Sequence, residues 1–452
     1  MQQDPSWKGH LMATLRLAVP LVGAQLAQIA IGTTDTVMVG RLGAYDLAAA
    51  VLGTQFYFII FIFGSGFAYA VMPMASGAAA SDDVVSVRRS VRMGLWVNIA
   101  FAIITIPLMW FSGALLIAFR QQPDLAMHAQ SYIRIAMWAL LPALTVMTLR
   151  SYLSALERAG MVLFATLAGF FANILLNYAL IFGNFGFPAL GLRGAAFATV
   201  GTNIVMAGAL LIYVNRAGFL KRFNLFQRFW RADWSMFGAV VRLGLPISAT
   251  LVAEVGMFVA VSLMVGWIGT VELAAHGIAL QITSVGFMIP LGLASVATVR
   301  VGRAVGRNDA KGLRRASLVI IYLTIGVTVA LAIILTTFRE GLVGLFLDLD
   351  NPESPEILAI GAPLLLIAAA FQLVDGLQAV GAGLLRGIKD MTVTMIIALI
   401  SYWVIGLGSA YLMAFVWDYG VMGIWAGLAF GLAGAAIAMT WRYFRGLGRV
   451  LG

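Results

Sequence analysis

Twelve stretches of this chain run for roughly 20 or more residues with few charges, each long enough to cross a bilayer core of about 30 Å. They lie near 13–38, 47–73, 91–116, 129–151, 161–183, 193–214, 239–264, 273–298, 316–338, 357–384, 392–414 and 419–441. Hydrocarbon offers no partner to a backbone N–H or C=O, so segments of this kind must satisfy their hydrogen bonds internally. The expected fold class is an all-α polytopic membrane protein of twelve transmembrane helices. Composition agrees: 62% of residues are apolar and 11% charged, against about 25% charged in soluble domains. There is no cysteine, which removes disulfides and thiolate metal sites. The opening MQQDPSWKGH is short and polar and the apolar run after it is too long for a signal-peptide core, so the first helix is expected to be retained.

The chain also repeats itself. Shifting the numbering by 226, half of the 452 residues, lays Arg242–Ala275 over Arg16–Ala49 without a gap, and 11 of those 34 positions are identical. Arg16, Leu17 and Pro20 fall on Arg242, Leu243 and Pro246, and the Met-Val-Gly-x-x-Gly of Met38–Gly43 falls on Met264–Gly269. Two repeat-related six-helix lobes are expected, over 1–215 and 236–452, joined by a basic, aromatic linker at 216–235 lying along the membrane surface. An even number of spans per half makes the repeats parallel.

The net charge of +10 would suggest nucleic acid in a soluble protein, but its placement gives another reading. With the N-terminus cytoplasmic, 24 of the 29 basic residues lie inside, leaving only Arg41, Arg120, Arg134, Arg193 and Arg339 outside. The positive-inside rule therefore expects both termini in the cytoplasm of a multi-pass, bacterial-type inner-membrane protein. The lipid bilayer is its expected partner, and nucleic acid is not.

Three acidic residues fall well inside spans: Asp35, Glu254 and Asp375. Each would cost on the order of 2.5–3.5 kcal/mol at a helix centre, and no lysine or arginine lies mid-span to pair with them. Protonation or a bound cation is the expected way to neutralise them. At about 1.5 Å per residue, Asp35 lies roughly 9 Å inward of Arg41, and Thr199 the same distance from Arg193. Asn177 is as far from Arg158 as Asp35 is from Arg16, 19 residues. Asp35, Asn177 and Thr199 thus share a depth, with Asn173 and Ala195 one turn away from Asn177 and Thr199. Carboxylate, amide, hydroxyl and carbonyl oxygens suit a small hard cation. In the second half, Glu254 and Asp375 lie about 18 and 17 Å from the inner edge, at one depth near the midplane.

These features together resemble a known family. Pro20 followed by Asp35, the Met-Val-Gly-x-x-Gly after it, the Asn173 and Asn177 pair, the GAAFAT run of Gly194–Thr199, and the paired Glu254 and Asp375 resemble a multidrug and toxic compound extrusion (MATE) transporter of the NorM-type branch. The resemblance spans all twelve helices and implies two six-helix lobes that alternate access. It implies efflux of amphiphilic organic cations in exchange for Na+ or H+, with no cofactor beyond the coupling ion. By resemblance, Asp35, Asn173, Asn177, Ala195 and Thr199 match the N-lobe cation site and Glu254 with Asp375 the C-lobe site. Na+ would be held by Glu254 and Asp375 or by Asp35, Asn173, Asn177 and Thr199. Some family members carry aspartate where Asn177 stands, so this first-half site has one less potential charge.

Pro20 and Pro246 free backbone carbonyls and can bend their helices; their repeat-related placement favours hinges over ordinary membrane-helix prolines. Seven aromatic residues crowd the second span, Phe56, Tyr57, Phe58, Phe61, Phe63, Phe67 and Tyr69. Most are expected to face lipid or neighbouring helices, and a minority, with Gln281, to line a greasy cavity for flat cations. His10, His128 and His276 have no ligand-spaced partners. No phosphate-binding loop, nucleophile elbow or zinc motif occurs, so the chain is not expected to be an enzyme. A lipid-linked oligosaccharide or other lipid flippase of related fold is the alternative, but such a protein would carry more cationic residues in its cavity. The expected protein is a monomeric antiporter for small cationic amphiphilic drugs. On this topology, a reporter fused after Gly452 should be cytoplasmic and a tag in loop 348–356 accessible from outside. Protection of that tag in intact cells would invert the orientation.

Overall fold

The computed structural model describes residues 6–348 and 352–450. The ends of the two expected lobes, 1–5 and 451–452, and residues 349–351 of the tag loop lie outside the described residues. Among those described, twelve helices are long and apolar enough to cross a membrane. They are α1 Trp7–Gly40, α2 Ala44–Ala80, α3 Val84–Trp110, α4 Pro123–Ala155, α5 Ala159–Phe182, α6 Leu192–Arg216, α7 Trp234–Gly266, α8 Thr270–Gly306, α9 Ala310–Thr337, α10 Ser354–Gly387, α11 Met391–Val416 and α12 Gly420–Leu447. All twelve expected spans are present. Several run longer than their apolar stretch, α2 and α8 by about three turns in all, because helical hydrogen bonding continues into polar ends after hydrophobicity stops. Within α4 a single 3₁₀ turn intervenes at Met137–Ala139.

The repeat survives in local detail. Asp83 caps α3 by accepting from the Ser86 N–H at 2.9 Å, and Asp309, 226 residues on, caps α9 by accepting from the Gly312 N–H at 2.8 Å. Each cap follows a residue in the left-handed region, Asp82 at φ 57° and Asn308 at φ 53°, and aspartate and asparagine tolerate that region best among residues with a side chain. A short helix follows each repeated span at matching positions, Ser112–Ala118 after α3 and Arg339–Gly344 after α9.

The helices pack into two compact units. Gly23–Ser248 forms one; the chain up to Val22 together with Ala249 onward forms the other. The dividing points, after Val22 and after Ser248, are themselves 226 apart, so α1 and α7 each begin in one unit and end in the other. The repeat in the sequence and the boundary in the packing therefore do not coincide. The local reason is close backbone approach. In the Gly23–Ser248 unit, the Ser248 hydroxyl donates to the Phe63 carbonyl, and Val240 packs with Phe67, Met93 and Val97. In the other unit, a Cβ at Gly292 of α8 would meet Val22 Cγ2 at 2.6 Å, and Arg300 of α8 reaches His10 of α1 at 2.7 Å. Pro20 and Pro246 each sit two residues before a dividing point.

In α11 the hydrogen bonding widens to the π pattern over Ile400–Gly406 and Leu412–Val416. Small residues of α12 receive this bulkier backbone: a Cβ at Gly431 would lie 2.5 Å from the Gly406 Cα. The linker 216–235 is held against α3 rather than running free. Arg89 donates to both oxygens of Asp233, Arg88 donates to the Gln227 side chain at 2.8 Å, and the Trp96 indole donates to the Phe229 carbonyl at 3.1 Å. The Arg89 hydrogen bond holds the Asp233 carboxyl below the usual carboxylate range, so this tie stays charged at neutral pH and its stabilising effect is lost only as acid protonates Asp233. Asp83→Ala and Asp309→Ala are each expected to cost about 1 kcal/mol, the usual value of an N-cap. Thermal unfolding of the purified protein should show similar losses for the two, and loss in only one would break the local equivalence of the repeats.

Candidate functional site

In the Gly23–Ser248 unit, α1 carries Asp35 against the face of α5 that holds Asn173 and Asn177. Both asparagines are fully buried; four residues apart on a helix, they are stacked neighbours. The Asn173 Nδ2 donates to Asp35 Oδ1 at 2.8 Å and the Asn177 Nδ2 to the same oxygen at 2.6 Å. Asn177 Nδ2 also lies 3.2 Å from Asn173 Oδ1. Two N–H donors converging on one oxygen suit an ionised carboxylate, which can only accept. Asn177 Oδ1 is buried with no hydrogen-bond partner among the described residues. An orphaned buried carbonyl oxygen costs about 1–3 kcal/mol, and here it stands beside a carboxylate, a donor set that fits a hard cation.

Asp35 also lines a cavity of about 300 Å³ with Thr54, Gln55, Phe58, Tyr132 and Ala195. Of the aromatic residues in α2, Phe58 faces this space, whereas Tyr57 and Phe61 stack on each other and Phe63 and Phe67 pack on Phe101. Thr199 donates back to the Ala195 carbonyl at 3.0 Å, and the Tyr132 hydroxyl, on the wall of the same cavity, accepts from Thr54 at 3.4 Å. All five first-half candidates are therefore brought to one place. Tyr132 and Thr54 were missed by the sequence reading. Their signal is weak: Tyr132 is one aromatic residue among many, and only its partners reveal the role.

In the other unit, α7 and α10 bring Glu254 and Asp375 close enough to interact electrostatically. Asp375 is 4% exposed. Neither carboxylate receives a hydrogen bond from the described residues, unlike Asp35. The Tyr402 hydroxyl lies in the field of both and accepts from the Gln378 amide, while the Trp403 indole donates to the Ala253 carbonyl beside Glu254 at 3.1 Å. Both aromatics come from the first π stretch of α11, so the wide turn places side chains at this pair. Arg386 is the basic group that reaches Glu254 electrostatically, from the end of α10. Gln281, the expected cavity residue, is exposed on α8.

Each histidine contacts a neighbouring side chain, His10 meeting Arg300 at 2.7 Å. His276 accepts from the Trp425 indole at 3.1 Å and meets Ser262 at 3.0 Å. His128 does have a partner, Asp46 at 2.7 Å, which spacing alone did not reveal. No group of three or more His, Cys, Asp or Glu side chains is placed to hold a metal ion among the described residues.

The family model MatE matches residues 20–179 and 246–412. The chain belongs to the MatE family. Both matched blocks begin at a repeat-related proline, Pro20 or Pro246. This MatE chain is 52% identical over 449 residues to a protein of Rhizobium meliloti (strain 1021) named "Probable multidrug resistance protein NorM", covering 99% of this chain and 96% of that one. It is 49% identical to a protein of the same name from Agrobacterium fabrum (strain C58 / ATCC 33970), covering 97% and 94%. Among solved structures, a MATE described in the bent conformation superposes with TM-score 0.87 at 20% identity, covering 99% of this chain and 96% of that one. A eukaryotic MATE transporter gives 0.85 at 19%, covering 99% and 100%. The all-helical fold, membership of the NorM-type branch and the absence of an enzymatic role expected from the residues all agree with these relatives.

A double-mutant cycle tests the convergence on Asp35 Oδ1 in this MatE protein. Asn177→Ala should destabilise the wild type by about 1.5–3 kcal/mol, the range for a hydrogen bond to a charged group, and much less in an Asp35→Asn background. Additive losses in thermal unfolding would mean that the two side chains act independently.

Proposed function

We propose that this protein is a secondary active antiporter that exports amphiphilic organic cations in exchange for Na+ or H+. The observation that carries this reading is the presence of two acidic sites built in opposite ways. Asp35 is solvated by two amides and borders a largely apolar cavity of about 300 Å³, the lower end of the range for small-molecule pockets. A cation with a flat apolar body fits such a place, its charge against the carboxylate and its rings against Phe58. Glu254 and Asp375 receive no hydrogen bond from the described residues, and two ionised carboxylates in apolar surroundings repel, so the pair calls for a proton or a cation.

In this reading Glu254 and Asp375 bind the coupling ion. Asp35, Asn173, Asn177, Ala195 and Thr199 form the site at which ion and drug compete, and Pro20 and Pro246 act as hinges of α1 and α7. Support for the hinges comes from their position two residues before the packing boundary in each helix. The names of the relatives, probable multidrug resistance proteins, support the substrate class. The cavity lining contains no basic side chain, which disfavours a lipid-linked pyrophosphate and hence the flippase alternative. The protein is proposed to act as a monomer in the inner membrane with both termini cytoplasmic.

Purified protein in proteoliposomes should transport a fluorescent organic cation when a Na+ or a proton gradient is imposed separately, and one of the two gradients should suffice. Glu254→Gln or Asp375→Asn should reach the membrane at wild-type level yet lose most gradient-driven transport. Full transport by both variants would reduce the pair to structural charges.

A further inference from the structure

At the start of α3 the linker closes over a second, differently built cavity of about 760 Å³. Four of its arginines form no salt bridge among the described residues: Arg88 and Arg92 from the first turns of α3, and Arg228 and Arg231 from the linker. The fifth, Arg89, is spent on Asp233, the one acidic residue in the wall. Arg92 is 7% exposed; its Nη1 donates to the Arg228 carbonyl at 3.0 Å, and its Nε is buried with no partner among the described residues. A buried guanidinium with an unspent N–H, in a wall carrying four surplus positive charges, is costly unless an anion enters. The linker backbone is also held in an uncommon conformation here, with Arg228 at φ 54°. Guanidinium groups in a fork geometry suit phosphate oxygens.

The surroundings identify which phosphate. The cavity opens where two membrane-crossing helices, α3 and α7, begin, and Trp234 of its wall is 71% exposed while Trp230 nearby is 81% exposed. Exposed tryptophans beside arginines at span ends are the pattern of a membrane–water interface. A free nucleotide or inorganic phosphate site would have no use for two large indoles turned outward. We propose that this cavity binds the phosphodiester headgroup of an anionic phospholipid, with Arg88, Arg92, Arg228 and Arg231 on the phosphate and Trp230 and Trp234 against the acyl region. The site lies within the Gly23–Ser248 unit and is independent of the transport reading. The lipid pins the linker to α3.

The test is native mass spectrometry of the full chain in detergent, titrated with phosphatidylglycerol and with phosphatidylcholine of the same acyl chains. A surface arginine contributes on the order of fivefold to anionic-lipid binding, so neutralising three should cost about a hundredfold. Wild type should prefer phosphatidylglycerol by about that factor. Arg88→Gln with Arg228→Gln and Arg231→Gln should bring the two lipids near parity, and the same three positions changed to lysine should keep most of the preference. Arg231→Gln alone, at an exposed position, should lose about fivefold and serves if the triple variant does not fold. Equal affinity of the wild type for both lipids, an unchanged preference in the glutamine variants, or displacement of phosphatidylglycerol by an equal concentration of inorganic phosphate would each overturn the proposal.

Discussion

The cost of placing a carboxylate in hydrocarbon governs this structure. Three are placed well inside membrane-crossing helices, and the chain meets that cost in two ways. Asp35 is solvated by protein: Asn173 and Asn177 turn both amide groups onto one of its oxygens. Glu254 and Asp375 receive no hydrogen bond from the described residues, and Arg386 reaches Glu254 electrostatically from the end of α10. In the proposed reading, a site that supplies its carboxylate with two amide donors is the one that exchanges one cation for another. In the same proposed reading, the pair without such donors is the one tied to the supply of protons or small cations, the property a coupling site needs.

Duplication set the framework within which these differences arose. Positions 226 apart still share N-caps, left-handed loop residues, short helices after α3 and α9, and the proline of the first helix in each half. The charges do not repeat, since Asp35 aligns with Val261 and Glu254 with Gln28. The packing boundary cuts α1 and α7 at equivalent points just after Pro20 and Pro246. In each of these helices a residue lacking an N–H thus sits two residues before the dividing point, which is the basis of the proposed hinges.

Most of the fold could be read from the sequence because hydrophobic runs of this length admit one structure, and the repeat located its halves. The Asp35 cluster was legible too. Distances along straight helices convert directly into depth, so Asp35, Asn177 and Thr199 could be placed at one level before any contact was known. Side-on relations were not legible, because depth says nothing about rotation about a helix axis. Tyr132 and Thr54 joined the cluster, and Tyr402 joined the acidic pair, through lateral packing and, for Tyr402, through π turns that no hydropathy pattern announces. The crossing of α1 and α7 between units was hidden for a related reason. A repeat in sequence records descent, whereas a packing unit records which side chains touch.

The central claim is that an organic cation and a proton or small cation compete for these buried carboxylates. The most direct measurement is the number of protons exchanged when a fluorescent organic cation binds the purified, weakly buffered protein, with and without Na+. Competition predicts that binding releases protons, or displaces Na+ when Na+ is present, and that Asp35→Asn reduces that exchange. Cation binding with no release of either ion, in wild type and variant alike, would contradict the account.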